Sequence, residues 1–127
     1  HLVHVVERLA DEAEVRALYQ QAVAFLFPSR IEGFGLPPLE AMAAGIPVVA
    51  HTGSAMAETL RGACVEAPWD DVVAWQSALK RILTDPGLRN RLAEQGRERA
   101  ETFVWTRTAR QTADAYRRVL GHTHPPA

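Results

Sequence analysis

The sequence contains one cysteine, Cys64, among its 127 residues. A single cysteine excludes an internal disulfide and a multi-cysteine zinc site, and its apolar neighbours indicate a small buried residue in a protein of a reducing cytoplasm. No apolar run approaches the ~18 residues that would cross a bilayer, and no signal peptide is visible. His1 and His4 have no acidic or cysteine neighbours at ligand spacing, so we expect no metal site.

A strong overall charge is also lacking. The formal net charge is −1, which provides no general attraction for nucleic acid, so we expect no nucleic-acid partner. The charges are unevenly placed, because residues 1–79 carry 4 basic and 10 acidic side chains whereas residues 80–127 carry 10 and 5. Solvated faces of arginine-rich helices are the simpler interpretation. A weak attraction to acidic lipid is the alternative, and it would make the protein peripheral at a membrane.

Length and composition indicate one domain. A chain of 127 residues, 47% hydrophobic and 23% charged, has room for a single core. We expect the domain to cover residues 1–121 and the tail, residues 122–127, to be disordered. The sequence begins with a histidine and passes directly into a strand-like pattern, which indicates a fragment of a longer protein.

Short apolar runs alternate with helical patterns along the first half of the chain. Runs typical of strands occupy four places, at Leu2–Val6, Val23–Phe27, Ile46–Ala50 and Ala63–Glu66. The second run is apolar at every position, which indicates burial on both faces. Helical patterns separate the runs, over Glu12–Gln21 after an Asp11 cap, from Pro37 to about Ala44, and over Met56–Leu60.

After Pro68 the pattern is helical only. It predicts a helix capped by Asp70 or Asp71, a second helix that begins near Pro86, and a third from about Trp105 to Leu120. The fold class is therefore α/β: a partial Rossmann-like parallel sheet of about four short strands, flanked by helices and followed by three C-terminal helices.

The segment Pro28–Met42 carries the most specific pattern in the chain. It follows a predicted strand, so it lies at the carboxyl end of the sheet, where such folds bind ligands. The glycines of Gly33-Phe34-Gly35 free the backbone to turn sharply, and the next helix directs its positive end at that turn, which favours phosphate. Pro37-Pro38 has no N–H groups, so the donors come from Gly33, Phe34, Gly35 and Leu36, with Leu39 as a further candidate. A plain glycine turn before a helix is the simpler interpretation.

Two carboxylates belong to the same segment. Glu40 lies one turn into the predicted helix, where the dipole stabilises its charge and where it can accept hydrogen bonds from a ribose diol. Glu32 precedes the turn and can bond sugar hydroxyls or stabilise positive charge that develops at an anomeric carbon. Each acid alone is equally typical of a solvated surface. Together with the turn they indicate a phosphorylated, sugar-like ligand.

These motifs together resemble the retaining glycosyltransferases of family 4, which have the GT-B architecture. The family signature is two glutamates separated by seven residues, which Glu32 and Glu40 match. The resemblance covers about residues 3–119 and rests mainly on Pro28-Ser29, Glu32-Gly33-Phe34-Gly35-Leu36, Pro38-Leu39-Glu40-Ala41-Met42-Ala43 and Gly45-Ile46-Pro47-Val48-Val49-Ala50.

By this resemblance the chain is the C-terminal part of a donor-binding domain, half of a GT-B nucleotide-sugar domain. The enzyme would transfer a sugar from a nucleotide-diphospho-sugar to a carbohydrate or lipid-linked acceptor, with retention of anomeric configuration and without a metal or other cofactor. Glu32 would be catalytic, near the reacting carbon, and Glu40 would hold the ribose. The backbone of Gly33–Leu36 would bind the diphosphate, and the loop around Val6–Leu9 would border the base.

The sequence also departs from the family pattern. Glu7 stands where glycine is common, and Pro37 removes one phosphate donor. The Arg and Lys with which the family neutralises the diphosphate would lie before His1, as would the N-terminal acceptor domain, so we expect the isolated chain to be inactive. The uncovered sheet edge that such a fragment exposes favours a homodimer.

Two other functions stay open at this point. The same loop would suit a non-catalytic nucleotide-binding or dimerisation module, and the lack of the Arg and Lys favours that for the isolated chain. A nucleotide-sugar epimerase of the GT-B type is the second alternative. The helix-initiating block Pro37–Glu40 favours the transferase over the epimerase.

Overall fold

Three short parallel strands lie at the centre of the protein. The computed structural model describes residues 3–6, 11–53 and 55–121. Its strands are β1 (Phe25–Phe27), β2 (Val48–Ala50) and β3 (Val65–Glu66). Its helices are α1 (Glu12–Gln21), α2 (Leu36–Ala43), α3 (Met56–Leu60), α4 (Val72–Thr84), α5 (Pro86–Glu101) and α6 (Trp105–Val119).

The strands follow one another across the sheet in the order β1-β2-β3. Phe25 lies opposite Val48 and Val49 lies opposite Val65, both in parallel register. Helices α2 and α3 make the two crossovers that parallel pairing requires. The predicted α/β class, with a parallel sheet and three C-terminal helices, is confirmed.

The prediction of a first strand in the run Leu2–Val6 is wrong. Residues 3–6 have no regular secondary structure, and the side chains of Val3 and Val5 are largely exposed. A strand is held by hydrogen bonds to a neighbouring strand, and no strand pairs with this segment in the part of the chain that the structure describes. The sheet there has three strands rather than about four.

The predicted burial of β1 on both faces is also wrong. The side chain of Leu26 is 39% exposed, and Phe25 and Phe27 are partly buried. Among the described strands, β1 pairs with β2 alone, so it lies at an edge of the sheet. Strand β2, which pairs on both sides, is fully buried.

Side-chain caps explain where three of the helices begin. Asp11 accepts hydrogen bonds from the backbone N–H groups of Ala13 (2.9 Å) and Glu14 (3.0 Å), as the predicted cap of α1 requires. Aspartates cap the next long helices in the same way, with Asp71 accepting from Ala74 N–H and Asp85 from Leu88 N–H, both at 2.9 Å. Pro86 occupies the first turn of α5, where its missing N–H has no intrahelical partner to lose.

The core has one layer on each face of the sheet. Alternate residues of a strand point to opposite faces, so Val48 and Ala50 pack with α2, α3 and Cys64, whereas Val49 packs with α4 and α5. Cys64 is buried, as predicted. Burial and, secondarily, the nearby Glu66 carboxylate raise the pKa of its thiol to about 12.

The turn after α2 returns the chain to the sheet. Gly45 has a φ of 77°, and its N–H donates to the carbonyl of Met42 (2.9 Å) while Ile46 N–H donates to the carbonyl of Ala41 (2.9 Å). These two bonds form a Schellman motif, which satisfies the last carbonyls of the helix. A side chain at position 45 would also meet the guanidinium of Arg97.

Several expectations fall on residues that the structure leaves undescribed. The loop predicted to border a base includes residues 7–9, and the predicted tail is residues 122–127, so both lie outside the described residues. Helix α6 is described and has no buried residue. Across the described ranges, no helix is long and apolar enough to span a membrane.

The contact between α2 and α5 gives a test of the packing. A Cβ atom built on Gly96 would lie 3.2 Å from Met42 Cγ and 3.5 Å from Met42 Cα. Helix propensity alone favours valine over glycine, yet Gly96→Val overpacks this contact, and we expect the free energy of unfolding to fall by about 2 kcal/mol. Denaturant unfolding measures it.

Gln95→Val is the matched control for that variant. It introduces the same side chain at the preceding, exposed position of α5, where only helix propensity changes, by less than about 1 kcal/mol. Equal losses of stability in the two variants would contradict the close approach of α2 and α5.

Candidate functional site

The loop from β1 to α2 forms the candidate site. It leaves the carboxyl end of β1 at Pro28 and enters α2 at Leu36. The residues predicted to contact the sugar, the diphosphate or the ribose lie in this loop or in α2, namely Glu32, Gly33, Phe34, Gly35, Leu36 and Glu40. The local sequence accounts for this path, because glycines permit the turn and Pro37-Pro38 favours the first turn of a helix.

Gly35 is the residue on which the turn depends. It is the N-cap of α2 and has φ 86° and ψ 53°, in the left-handed region. A Cβ atom there would meet the sulfur atom of Met56. Glycine is therefore needed both for the backbone conformation and for the approach of α3.

The amides of the turn are available to a ligand. Within the described residues, the N–H groups of the four residues Gly33–Leu36 donate no hydrogen bond. The first N–H groups of a helix have no intrahelical acceptor, and the dipole of α2 adds partial positive charge at the same end. The arrangement can accept an anion on backbone donors.

Glu32 is held by a neighbour in its own loop. Ser29 Oγ donates a 2.8 Å hydrogen bond to Glu32 Oε1, and the Glu32 side chain is partly buried. Ser29 also lies 3.4 Å from the carbonyl of Ile31. The serine thus orients the carboxylate predicted to be catalytic.

Glu40 is held from another helix. The hydroxyl of Tyr19, in α1, lies 3.3 Å from Glu40 Oε2 and 3.4 Å from the carbonyl oxygen of Pro37. Burial raises the pKa of Tyr19 to about 12, with the charge of Glu40 and its hydrogen bond as further causes. The phenol therefore stays protonated and can donate to the carboxylate throughout the ordinary pH range.

Phe34 points away from the sheet toward the C-terminal helices. Its ring is 44% exposed and meets the ring of Phe103 edge to face, with centroids 5.5 Å apart. The side chain of Phe34 therefore holds the loop against the segment between α5 and α6.

Sequence reasoning gave no role to two residues of this arrangement. Ser29 had a local signal, since it lies three residues before Glu32 in the same loop. Tyr19 had none, because its 21-residue separation from Glu40 is closed only by the packing of α1 against α2. The ring of His51, in the loop after β2, lies against Gly53 of the same loop. No cluster of metal-ligating side chains occurs within the described ranges.

Comparisons with known proteins show which proteins this chain is similar to. Residues 2–99 match the family model described as glycosyl transferases group 1. The chain is 38% identical over 123 residues to the MMP alpha-(1->4)-mannosyltransferase of Mycolicibacterium hassiacum, an alignment that covers 94% of the chain and 30% of that protein. It is 37% identical over 100 residues to O-antigen chain mannosyltransferase B of Escherichia coli, covering 79% of the chain and 26% of that protein.

A solved structure shares the fold. Sucrose-phosphate synthase from Thermosynechococcus elongatus superposes with a TM-score of 0.78 at 33% identity, over 89% of this chain and 29% of that one. The chain thus spans less than a third of the length of each of these three relatives.

The two loop glycines provide a test of the turn. Gly35→Ala places a Cβ in the left-handed region, which costs about 1–2 kcal/mol, and adds a contact with Met56. We expect a loss of unfolding free energy of about 2 kcal/mol or more in denaturant titrations. Gly33→Ala is the control, since a Cβ there has nothing within 4 Å. A larger loss for Gly33→Ala than for Gly35→Ala would contradict this geometry.

The Tyr19–Glu40 contact can be tested by titration. In a Tyr116→Phe background, Tyr19 is the remaining tyrosine, and phenolate absorbance should report a pKa of about 12. Glu40→Gln should lower that pKa but leave it above 10, because the larger cause is burial. Glu58→Gln is the control and should leave it unchanged.

The raised pKa of Tyr19 determines how the stability of the protein changes with pH. The folded protein holds the Tyr19 proton more tightly than the unfolded chain, whose phenol has the ordinary pKa of 10.0. The contribution of Tyr19 to stability is therefore constant below about pH 10 and decreases as the pH rises toward 12. A pKa near 10 in the Tyr116→Phe protein would contradict the contact.

Proposed function

Because the chain belongs to the glycosyl transferases group 1 family, we propose that it contributes the donor-binding loop of a retaining glycosyltransferase of the GT-B type. The reaction is transfer of a sugar from a nucleotide-diphospho-sugar to a carbohydrate or lipid-linked acceptor. The relatives named above are sugar transferases and a sucrose-phosphate synthase. Their greater length supports the proposal that an N-terminal domain completes the site.

The observation that carries this proposal is the loop from Glu32 to Glu40. It combines a carboxylate oriented by Ser29, four backbone N–H groups without acceptors in the described chain, and a second carboxylate next to Tyr19. Anion donors flanked by two acids suit a ligand with a charged centre and hydroxyl groups on both sides. A nucleotide-diphospho-sugar has that pattern.

This placement supports the chemical roles that the family resemblance implies. As the bond from the anomeric carbon to the diphosphate breaks, positive charge develops on the sugar ring and negative charge on the leaving oxygen. The Glu32 carboxylate stabilises the first, and the N–H groups of Gly33–Leu36 with the α2 dipole stabilise the second. Glu40 holds the ribose hydroxyls. Retention requires the acceptor oxygen to attach on the face from which the diphosphate leaves, where the departing phosphate oxygen accepts the proton of the acceptor hydroxyl.

We propose that the transfer needs no metal ion. The charge on the leaving diphosphate is met by backbone donors of this loop and by the Arg and Lys that the family resemblance places upstream. The two mannosyltransferases among the relatives make a mannosyl donor the first to test. A cytoplasmic location at the membrane surface remains a prediction.

A second candidate function rests on the sheet edge. Among the described strands, β1 pairs on one side only, and an unpaired edge is a template for another chain. A non-catalytic module that dimerises through β1 would use it. Light scattering tests this candidate by measuring whether the protein is a dimer. A dimer that Leu26→Pro abolishes, in a protein that binds no donor, favours the non-catalytic module over the transferase.

Substitution of the two acids tests the transferase. In the full-length protein, Glu32→Gln should lower kcat by about a thousandfold, since it removes charge stabilisation from the transition state. Glu40→Gln should raise the donor KM by about tenfold with a smaller change in kcat, since it removes a ribose contact. Steady-state assays over a panel of nucleotide-diphospho-sugars measure both.

Glu101→Gln, an exposed position at the end of α5, is the control and should behave as the unsubstituted protein. Unchanged kcat and KM in both Glu32→Gln and Glu40→Gln would overturn the proposed function.

A further inference from the structure

A second cleft adjoins the candidate site on the side of the C-terminal helices. It has a volume of about 500 Å³ and lies between the turn at Gly33-Phe34, helix α3, and the segment from the end of α5 into α6. Cavities of this size hold small ligands. Its most distinctive lining residues are Phe34, Glu58, Arg61, Arg99, Phe103 and Arg107.

The cleft carries an uncompensated positive charge. Three guanidinium groups and one carboxylate line it, so its walls carry two excess positive charges. Within the described residues, the guanidinium groups of Arg61, Arg99 and Arg107 form no ion pair; the ion pair found there joins Arg117 to Asp114, elsewhere on α6. Like charges gathered without a partner are unfavourable, and an anion would relieve the repulsion.

Arg99 is fixed in the wall by its own hydrogen bonds. Its Nε donates to the carbonyl of Thr59 (2.8 Å) and its Nη2 to the carbonyl of Glu58 (2.6 Å). Its guanidinium also lies over the Phe103 ring, 4.6 Å from the centroid. Burial lowers the pKa of Arg99 and the nearby Arg61 lowers it further, while Glu58 acts in the opposite direction. The position of this charge is therefore set before any ligand arrives.

Arg61 and Arg107 face the cleft with free donors. Both side chains are exposed, and neither donates a hydrogen bond within the described chain. Thr108 and Gln111 add a hydroxyl and an amide on the α6 side. Guanidinium forks on two walls, with neutral polar groups beside Arg107, suit an anion with several oxygens.

We propose that this cleft binds a phosphomonoester, with Arg61 and Arg107 as its direct contacts and Arg99 as a fixed background charge. A phosphomonoester carries a charge of about −1.5 to −2 at pH 7, which matches the two excess positive charges, whereas a carboxylate would leave one uncompensated. The site is distinct from the Gly33–Leu36 amides that the proposed function assigns to a diphosphate, although the turn at Gly33-Phe34 borders both.

The test is calorimetric titration of the full-length protein with inorganic phosphate. We expect saturable binding that weakens by about tenfold in Arg107→Gln and in Arg61→Asn, because each removes a charged donor. Both variants should fold: Arg107 is exposed, and Arg61 has a φ of 35°, a conformation that asparagine tolerates. Arg110→Gln, on α6 outside the cleft, is the control and should bind as the unsubstituted protein.

Two results of the phosphate titration would overturn the proposal. One is the absence of saturable phosphate binding by the unsubstituted protein, and the other is equal affinity in all three variants. Titration of a nucleoside diphosphate into the same proteins distinguishes a separate phosphate site in the cleft from the donor site of the proposed function. If it displaces the phosphate and loses affinity in both cleft variants, the cleft is part of the donor site and the separate site is wrong.

Steady-state kinetics distinguish a phosphoryl group carried by the acceptor from one carried by a free metabolite. Inorganic phosphate that competes with the acceptor, with a raised acceptor KM in Arg107→Gln, supports a phosphate carried by the acceptor. Inorganic phosphate that changes kcat and leaves the acceptor KM unaltered supports a free phosphorylated metabolite.

Discussion

The burial of β2 on both faces is the constraint on which the rest of the structure depends. Val48, Val49 and Ala50 have no exposed surface, because α2 and α3 cover one face of this strand while α4 and α5 cover the other. A strand enclosed in this way fixes the positions of its parallel neighbours and of the loops at their carboxyl ends. The placement of the Glu32–Glu40 loop follows from that enclosure.

The features that could be predicted from the sequence are those with a local cause. Asp11, Asp71 and Asp85 cap helices through hydrogen bonds that span two or three residues, and Gly45 ends α2 through an equally short motif. The predictions of a strand at residues 3–6 and of burial on both faces of β1 were wrong, because both depend on a neighbouring strand that a local pattern does not specify.

The candidate site likewise has features that could be predicted from the sequence and features that could not. The residues of the loop were visible in the sequence because they are contiguous, and the family resemblance gave them roles. Two other contacts arise from helix packing. Tyr19 lies against Glu40, and Arg99 donates hydrogen bonds to the backbone carbonyls of Glu58 and Thr59, some forty positions earlier in the chain. Sequence reasoning named the groups that we predict to meet a ligand and gave no role to the side chains that hold them.

The lack of buried residues in α6 has a consequence for the motions of the protein. A helix without buried side chains is stabilised little by the rest of the fold, so it can open locally while the sheet stays intact. One wall of the arginine-lined cleft is anchored to α3 through Arg99, whereas the opposite wall belongs to this loosely held helix. The cleft therefore has one wall that the described chain holds in place through hydrogen bonds and one wall that it holds weakly.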